Sequence, residues 1–454
     1  MKPIRMFAAT GMLGYGYADE SIERALEMEL DLIAADAGSM DPGPYYLGAG
    51  QAFVSRPAAK RDLSLMMVGG AKKGVPVFIG SAGGGGGDPH VDWLMEIVRE
   101  IATENGLHPK VAVIRSEQSK DSLKAKIKAG KIAPLGPIAE LTEEEVDNSH
   151  RVVAMMGPEP FQKALEDGAD VVIAGRASDA AIYAAIPLMR GADPGLAWHL
   201  GKIIECGAQV AEPRLGGDGV IGTLYDNHFT VEPGHPDKRV TRTRVAAHTL
   251  YENPSPYHLK EPTGLVDTTH AAFAQIDDRT VKVTGSRFEP ANVYTVKLEG
   301  VRSLGYRTVS MAGTRDPILI GQIESYIEHC KERATFEAGQ LGIDPSTFQI
   351  NIHIYGKNAT MGVIEPVKET AAHELGLLVD VIGETEEISK AVCAKIRYLL
   401  LHGDFEGRMC ISGNMAIPFS PSDMPVGQVY EFNVWHVMEC DHPLEAVRME
   451  MEAL

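Results

Sequence analysis

The sequence predicts an α/β protein: an N-terminal, mostly parallel sheet with helices on both faces, plus a C-terminal α+β domain with an antiparallel sheet. Two observations predict this. Through the first half, apolar runs of strand length alternate with longer stretches of helical spacing, making four or five strand–helix units. Beyond about residue 270 the apolar runs are divided by turn residues, in the style of antiparallel strands. The expected organisation is a substrate-site domain over 1–213, an irregular connection or inserted lobe over 214–270, and an α+β domain over 271–454.

Taken in order, residues 3–9 read as a strand leading into the loop TGMLGYGY, and 19–29 as an amphipathic helix capped by Asp19. Residues 31–37 (DLIAADA) have strand length, and the long loop GSMDPGPYYLGAG follows. Residues 56–73 place Leu63, Met66, Met67 and Ala71 on one helical face. VPVFIG at 75–80 is nearly continuous in apolar residues, as a strand buried on both faces must be. It ends in SAGGGGGDPH, before a helix at 91–102. A strand (KVAVIR, 110–115), a helix at 121–130, a Pro/Gly stretch at 134–137, a helix at 158–167, a strand (ADVVIAGR) and helices at 180–189 and 196–209 complete the first half. Segment 214–265 is rich in Pro, Gly, His and Asn and lacks periodic runs. RTVKVTGSRF, VYTVKLEGV and YRTVSMAG then read as short strands. A helix at 317–332, the strands FQINIHIYG and HELGLLVDVIGE, and a helix at 386–401 follow.

Composition narrows the function. The 454 residues are 44% hydrophobic and 23% charged, ordinary for a folded protein. A formal charge of −19 argues against nucleic acid or an anionic membrane surface as partner, because both need a basic footprint. It leaves a small anionic substrate open, since one local arginine reverses the field in a cleft. The five cysteines are widely spaced and form no CxxC pair, so reduced thiols of a cytoplasmic protein are expected. No apolar run approaches the length of a membrane helix.

Ligands of parallel sheets bind outside the carboxyl ends of the strands. That rule selects four loops. The first contains Gly11 and Gly14, the second Asp36, Ser39 and Asp41, the third Ser81, Gly83, Gly84 and His90, and the fourth Arg176, Ser178 and Asp179. Glycine-rich turns before helices suit an anion cradle of backbone N–H groups, and equally suit simple tight turns. The third loop lacks the Lys-Ser/Thr ending of a triphosphate-binding loop. Asp36, about 20 residues beyond the first loop, sits where a dinucleotide's ribose would meet an acid, although G-x-G-x-x-G is not matched. Arg176, ending an apolar strand, either grips a substrate carboxylate or pairs with Asp179. Asp36, Asp41 and Asp179 are candidate bases or metal ligands, or else caps. His90 is a candidate proton donor, and Asp88 with His90 a weak metal pair; no metal and no cofactor is assigned. Cys206 is either a nucleophile or a buried thiol, and nothing near it in sequence activates it.

GRASDAAIYAAIP followed by LGKIIECGAQV resembles the acyclic terpene utilisation AtuA family (DUF1446-type). Gly175, Arg176, Asp179 and Ala180 match its first element, and Glu205, Cys206, Gly207, Ala208 and Gln209 its second. The resemblance implies a catabolic protein and, with the chain's size, a homo-oligomer. The expected function is an enzyme acting on a small carboxylic acid or its thioester, of lyase or hydratase type. In it Arg176 holds the carboxylate, third-loop amides steady a developing anion, Glu205 helps line the pocket, and Asp36, Asp41, Asp179 or His90 moves the proton. The alternatives are a dinucleotide-dependent oxidoreductase and a non-enzymatic ligand-binding subunit.

Overall fold

Strands that are apolar on both sides must be covered on both faces, and the chain meets that demand with five parallel strands. In the computed structural model, which describes residues 2–214, 216–411 and 413–454, Ile4–Ala8, Leu32–Asp36, Val77–Gly80, Val171–Ala174 and Lys110–Arg115 lie side by side in that order. Successive side chains alternate between two cores. Phe7, Ile33, Ile79 and Val113 face the helices Asp19–Glu27, Arg56–Lys73 and Asp88–Asn105. Met6, Ala34, Phe78 and Ile114 face the helices Glu159–Glu166, Asp179–Met189 and Pro194–Ile204.

The order of strands positions the site. The chain passes from Val77–Gly80 to Lys110–Arg115 and only then returns to fill the gap with Val171–Ala174. The helix after that strand, Asp179–Met189, packs on the opposite face from the helices that follow the first three strands. Such a reversal leaves a crevice at the carboxyl ends of the strands.

Antiparallel strands widen the sheet to ten. Val220–Leu224, Phe229–Pro233, Val281–Thr284 and Ala272–Gln275 continue it beyond Ile4–Ala8, and Arg448–Ala453 borders Lys110–Arg115. Two of these strands lie in the stretch that reads as irregular. They are short and joined by the four residues YDNH, so neither shows a long periodic run. Ser149–Met155 is a further strand absent from the sequence reading, its polar start (SHR) hiding its apolar end. It pairs with residues 297–302.

The chain divides into two compact units, Met1–Arg302 with Phe432–Leu454, and Ser303–Glu431. The second contains the antiparallel α+β arrangement. Residues 306–314 pair with Leu375–Gly383, which pairs with Phe348–Tyr355. Helices Ile323–Gln340 and Glu386–His402 pack on that sheet through Ile327, Val379, Val392 and Ile396. No helix among the described residues is long and apolar enough to cross a membrane.

One helix boundary bears on the site. The helical pattern predicted over 196–209 stops at Ile204, and a separate 3-10 turn spans Gly207–Val210. Gly207 takes a left-handed φ of 55°, and a Cβ there would press on Gly11 N and Asp218 O. The turn swings Glu205 and Cys206 toward the carboxyl ends of the strands.

Candidate functional site

A cleft of about 980 Å³ opens beside the ends of the first two strands. Gly11 and Gly14 of the first loop line it, with Asp36, Ser39 and Asp41 from the second loop and Asp179 from the fourth. Glu205 and Cys206 close it from the end of their helix. Asp218 and Glu252 bring the lining carboxyls to six, whereas Arg214 is the sole lysine or arginine among the described lining residues. The cleft is therefore acidic, beyond what the overall charge requires.

Two carboxyls on its wall are held away from their usual behaviour. Asp36 is 2% exposed; its Oδ2 accepts from Gly38 N at 3.1 Å, and its Oδ1 has no partner. Burial and the neighbouring Asp179 push its pKa well above the carboxylate range, against the pull of Arg176. Asp179 is raised to about 6: burial raises it, Arg176 opposes, and Glu205 adds to the rise.

Beside them sits a third carboxyl of opposite character. Burial alone would raise Glu205, but Lys202 and His248 overcome that and hold it at about 2. Lys202 Nζ lies 2.8 Å from Glu205 Oε1. Cys206 Sγ donates to Glu205 Oε2 at 2.9 Å. Burial and that carboxylate push the thiol far up, so Cys206 stands as a thiol and not a poised thiolate. The ligand atoms of Glu205, Cys206 and His248 all lie within 4.8 Å of one another.

Arg176 has a different place from the expected one. It is absent from the cleft lining, and its side chain is buried. Its Nε donates to Glu299 Oε2 at 2.7 Å, and its Nη1 reaches Ser81 Oγ, Ala177 O and Asp179 Oδ1 at 3.0, 3.1 and 3.2 Å. With Nε and Nη1 so engaged and the side chain outside the lining, the guanidinium is not presented to a ligand in the cleft. Its Nη1 holds Asp179 in an ion pair instead.

The third loop also departs from the expected cradle. Ser81, Gly83 and Gly84 are buried and absent from the lining. The loop packs against the fourth loop, with Arg176 N donating to Gly86 O at 3.2 Å. A Cβ on Gly86, whose φ is 66°, would overlap the Arg176 backbone nitrogen. The glycines thus allow two backbones to touch. His90 is buried inside the same packing, its Nε2 at 3.0 Å from Tyr46 O and 3.1 Å from Gln51 O, and burial lowers its pKa. Asp88 Oδ2 pairs with Arg448 at 2.7 Å, and neither Asp88 nor His90 belongs to a group of three metal-ligating side chains among the described residues. Ser178 donates to Glu261 Oε2 at 2.6 Å and is likewise outside the lining.

The first loop borders the cleft, but not as an amide cradle. Gly14 N and Gly16 N both donate to Asp62 Oδ2 at 2.9 Å. Its helix begins only at Asp19, so no helix N-terminus follows the glycines directly. Lys202, Asp218, His248, Tyr251 and Glu252 receive no role from the sequence. Except for Lys202, a turn before the ECGAQ motif, they come from the stretch without periodicity, and only packing brings them to the site.

The family model of the acyclic terpene utilisation family protein AtuA matches residues 61–415. No curated protein and no solved structure matches the chain. The chain belongs to the acyclic terpene utilisation AtuA family.

Proposed function

We propose that this chain is a catabolic enzyme of acyclic terpene utilisation, a lyase or hydratase that adds water to, or removes it from, a small carboxylic acid or its thioester. The observation that carries this reading is the pair of carboxyls on one cleft wall: Asp36, buried with an unpartnered oxygen, and Asp179, fixed by Arg176. Two titratable groups whose surroundings separate their roles are what acid–base catalysis requires. In the hydration direction Asp179, ionised near neutral pH, takes a proton from water as its oxygen bonds to the β-carbon. Asp36, whose burial favours the protonated form, delivers a proton to the α-carbon. The sum is H and OH across one double bond. Arg214, at the cleft edge, is the lining cation for the acid or thioester end.

The test is an assay of branched α,β-unsaturated acids and their thioesters, followed by loss of the conjugated absorbance and by deuterium uptake at the α-carbon in D₂O. Turnover that falls in both Asp36→Asn and Asp179→Asn supports the reading. Unchanged turnover in either variant, or no turnover with any member of the panel, removes it.

A further inference from the structure

The cleft poses a problem for any anionic ligand. Six carboxyls line it against one lining arginine; Lys202 and Lys238 stand behind Glu205 and Asp218 but do not line the cleft, and Arg176 is engaged elsewhere. The cluster at the end of helix Pro194–Ile204 answers it. Glu205 and Cys206 leave that helix at its last turn, and His248 comes from helix Arg242–Thr249, packed beside it. Glu205 Oε2 lies 2.9 Å from Cys206 Sγ, and His248 Nε2 lies 3.5 Å from Glu205 Oε1. That last separation is too long for a good hydrogen bond. His248 Nε2 is buried without a hydrogen-bond partner, inside a group of three atoms of different donor type.

We propose that Glu205, Cys206 and His248 bind a divalent thiophilic cation of the zinc type, leaving a coordination position toward the cleft. Sulfur, imidazole and carboxylate are the donors such a cation takes, and three protein ligands with one open position mark a site that meets substrate. Separations under 4.8 Å suit ligands around one ion. Lys202 on Oε1 leaves Oε2 for the metal and orients the carboxylate, as outer partners of metal sites do. His248 is stacked on Tyr251 with ring centroids 5.2 Å apart, which fixes the imidazole plane. On binding, the Sγ–H bond breaks, its proton passes to solvent, and sulfur donates the pair to the metal. The bound charge turns part of an acidic cleft into a seat for a carboxylate or carbonyl oxygen. The site stands whether or not the reaction is a hydration.

The test uses the full chain, stripped with a chelator and titrated with Co²⁺. The expected result is a thiolate-to-cobalt charge-transfer band that saturates at one cobalt per chain and is displaced by Zn²⁺. Cys206→Ser abolishes the band, and His248→Ala and Lys202→Met each weaken affinity by about tenfold or more. Cys410→Ser, which alters an exposed thiol in the other unit, keeps the band. Circular dichroism shows which variants are folded. A wild-type protein without the band, or a folded Cys206→Ser protein that keeps it, overturns the proposal. Should the variants not fold, zinc-edge absorption on the wild-type protein decides: a shell with sulfur and imidazole supports the site, and a shell of oxygens alone overturns it.

Discussion

Residues 80–88 and residues 205–209 make an instructive contrast. The first segment holds six glycines and the second holds one. Yet the glycine-rich segment is buried packing against residues 175–176, while Glu205 and Cys206 of the glycine-poor segment line the cleft. Glycine density here marks where backbones touch. The cleft is lined instead by carboxyls and a thiol, and Asp36 among them keeps a buried oxygen without a partner.

That contrast can be broken by substitutions on its two sides. The largest effect is expected from Gly86→Ala, where a left-handed φ and an overlap with Arg176 N combine. It should destabilise by more than about 4 kcal/mol and leave little folded protein, read by urea denaturation. Glu299→Ala comes next. It strips Arg176 and Lys297 of a carboxylate that each meets at 2.7 Å inside the protein, and the loss should be about 3–5 kcal/mol. Near-native stability in both variants would erase the distinction between packing and site.

On the other side, Asp36→Asn should keep the fold and cost turnover about 10²–10⁴-fold, the range for a lost proton-transfer group. Urea curves alongside steady-state kinetics separate the two readouts. A smaller effect concerns pH. Asp179 is flanked by Arg176, Asp36, Glu205, Lys202, Glu252 and Glu261, and burial carries it to about 6. Because its folded pKa lies above the unfolded one, its contribution is full below about pH 4 and is lost as pH rises through about 6. Subtracting the Asp179→Asn stability profile from the wild-type profile should give a descending step in that window; a flat difference refutes it. The smallest change is Gly16→Ala, where φ is 82° but no atom crowds a Cβ. About 1–2 kcal/mol of backbone strain is expected in a melting experiment, well short of the Gly86 loss.

The parallel core was legible because Leu32–Asp36, Val77–Gly80 and Val171–Ala174 are apolar almost throughout, as doubly covered strands must be. Val220–Leu224 and Phe229–Pro233 were not, since their neighbours in sequence are glycine, proline and asparagine; pairing of the first with Ile4–Ala8, and of the second with the first, supplies what local pattern lacks. The strand Tyr294–Thr314 was read as two because Gly300 and Leu304-Gly305 resemble turns. At the cleft, Asp36, Asp41 and Asp179 follow from their place at strand ends. Burial of Arg176 does not: Glu299 is 123 residues away and carries no local sign of its partner. His248 and Glu252 are hidden for the same reason.

The contact between Gly11 and Gly207 carries a consequence for how this protein can vary. A Cβ at Gly11 would stand 2.5 Å from Cys206 O, and one at Gly207 would stand 2.7 Å from Gly11 N. Neither position can acquire a side chain unless the other segment shifts. The two should therefore drift together across generations, so that a descendant with alanine at either one has rebuilt the floor beneath Glu205.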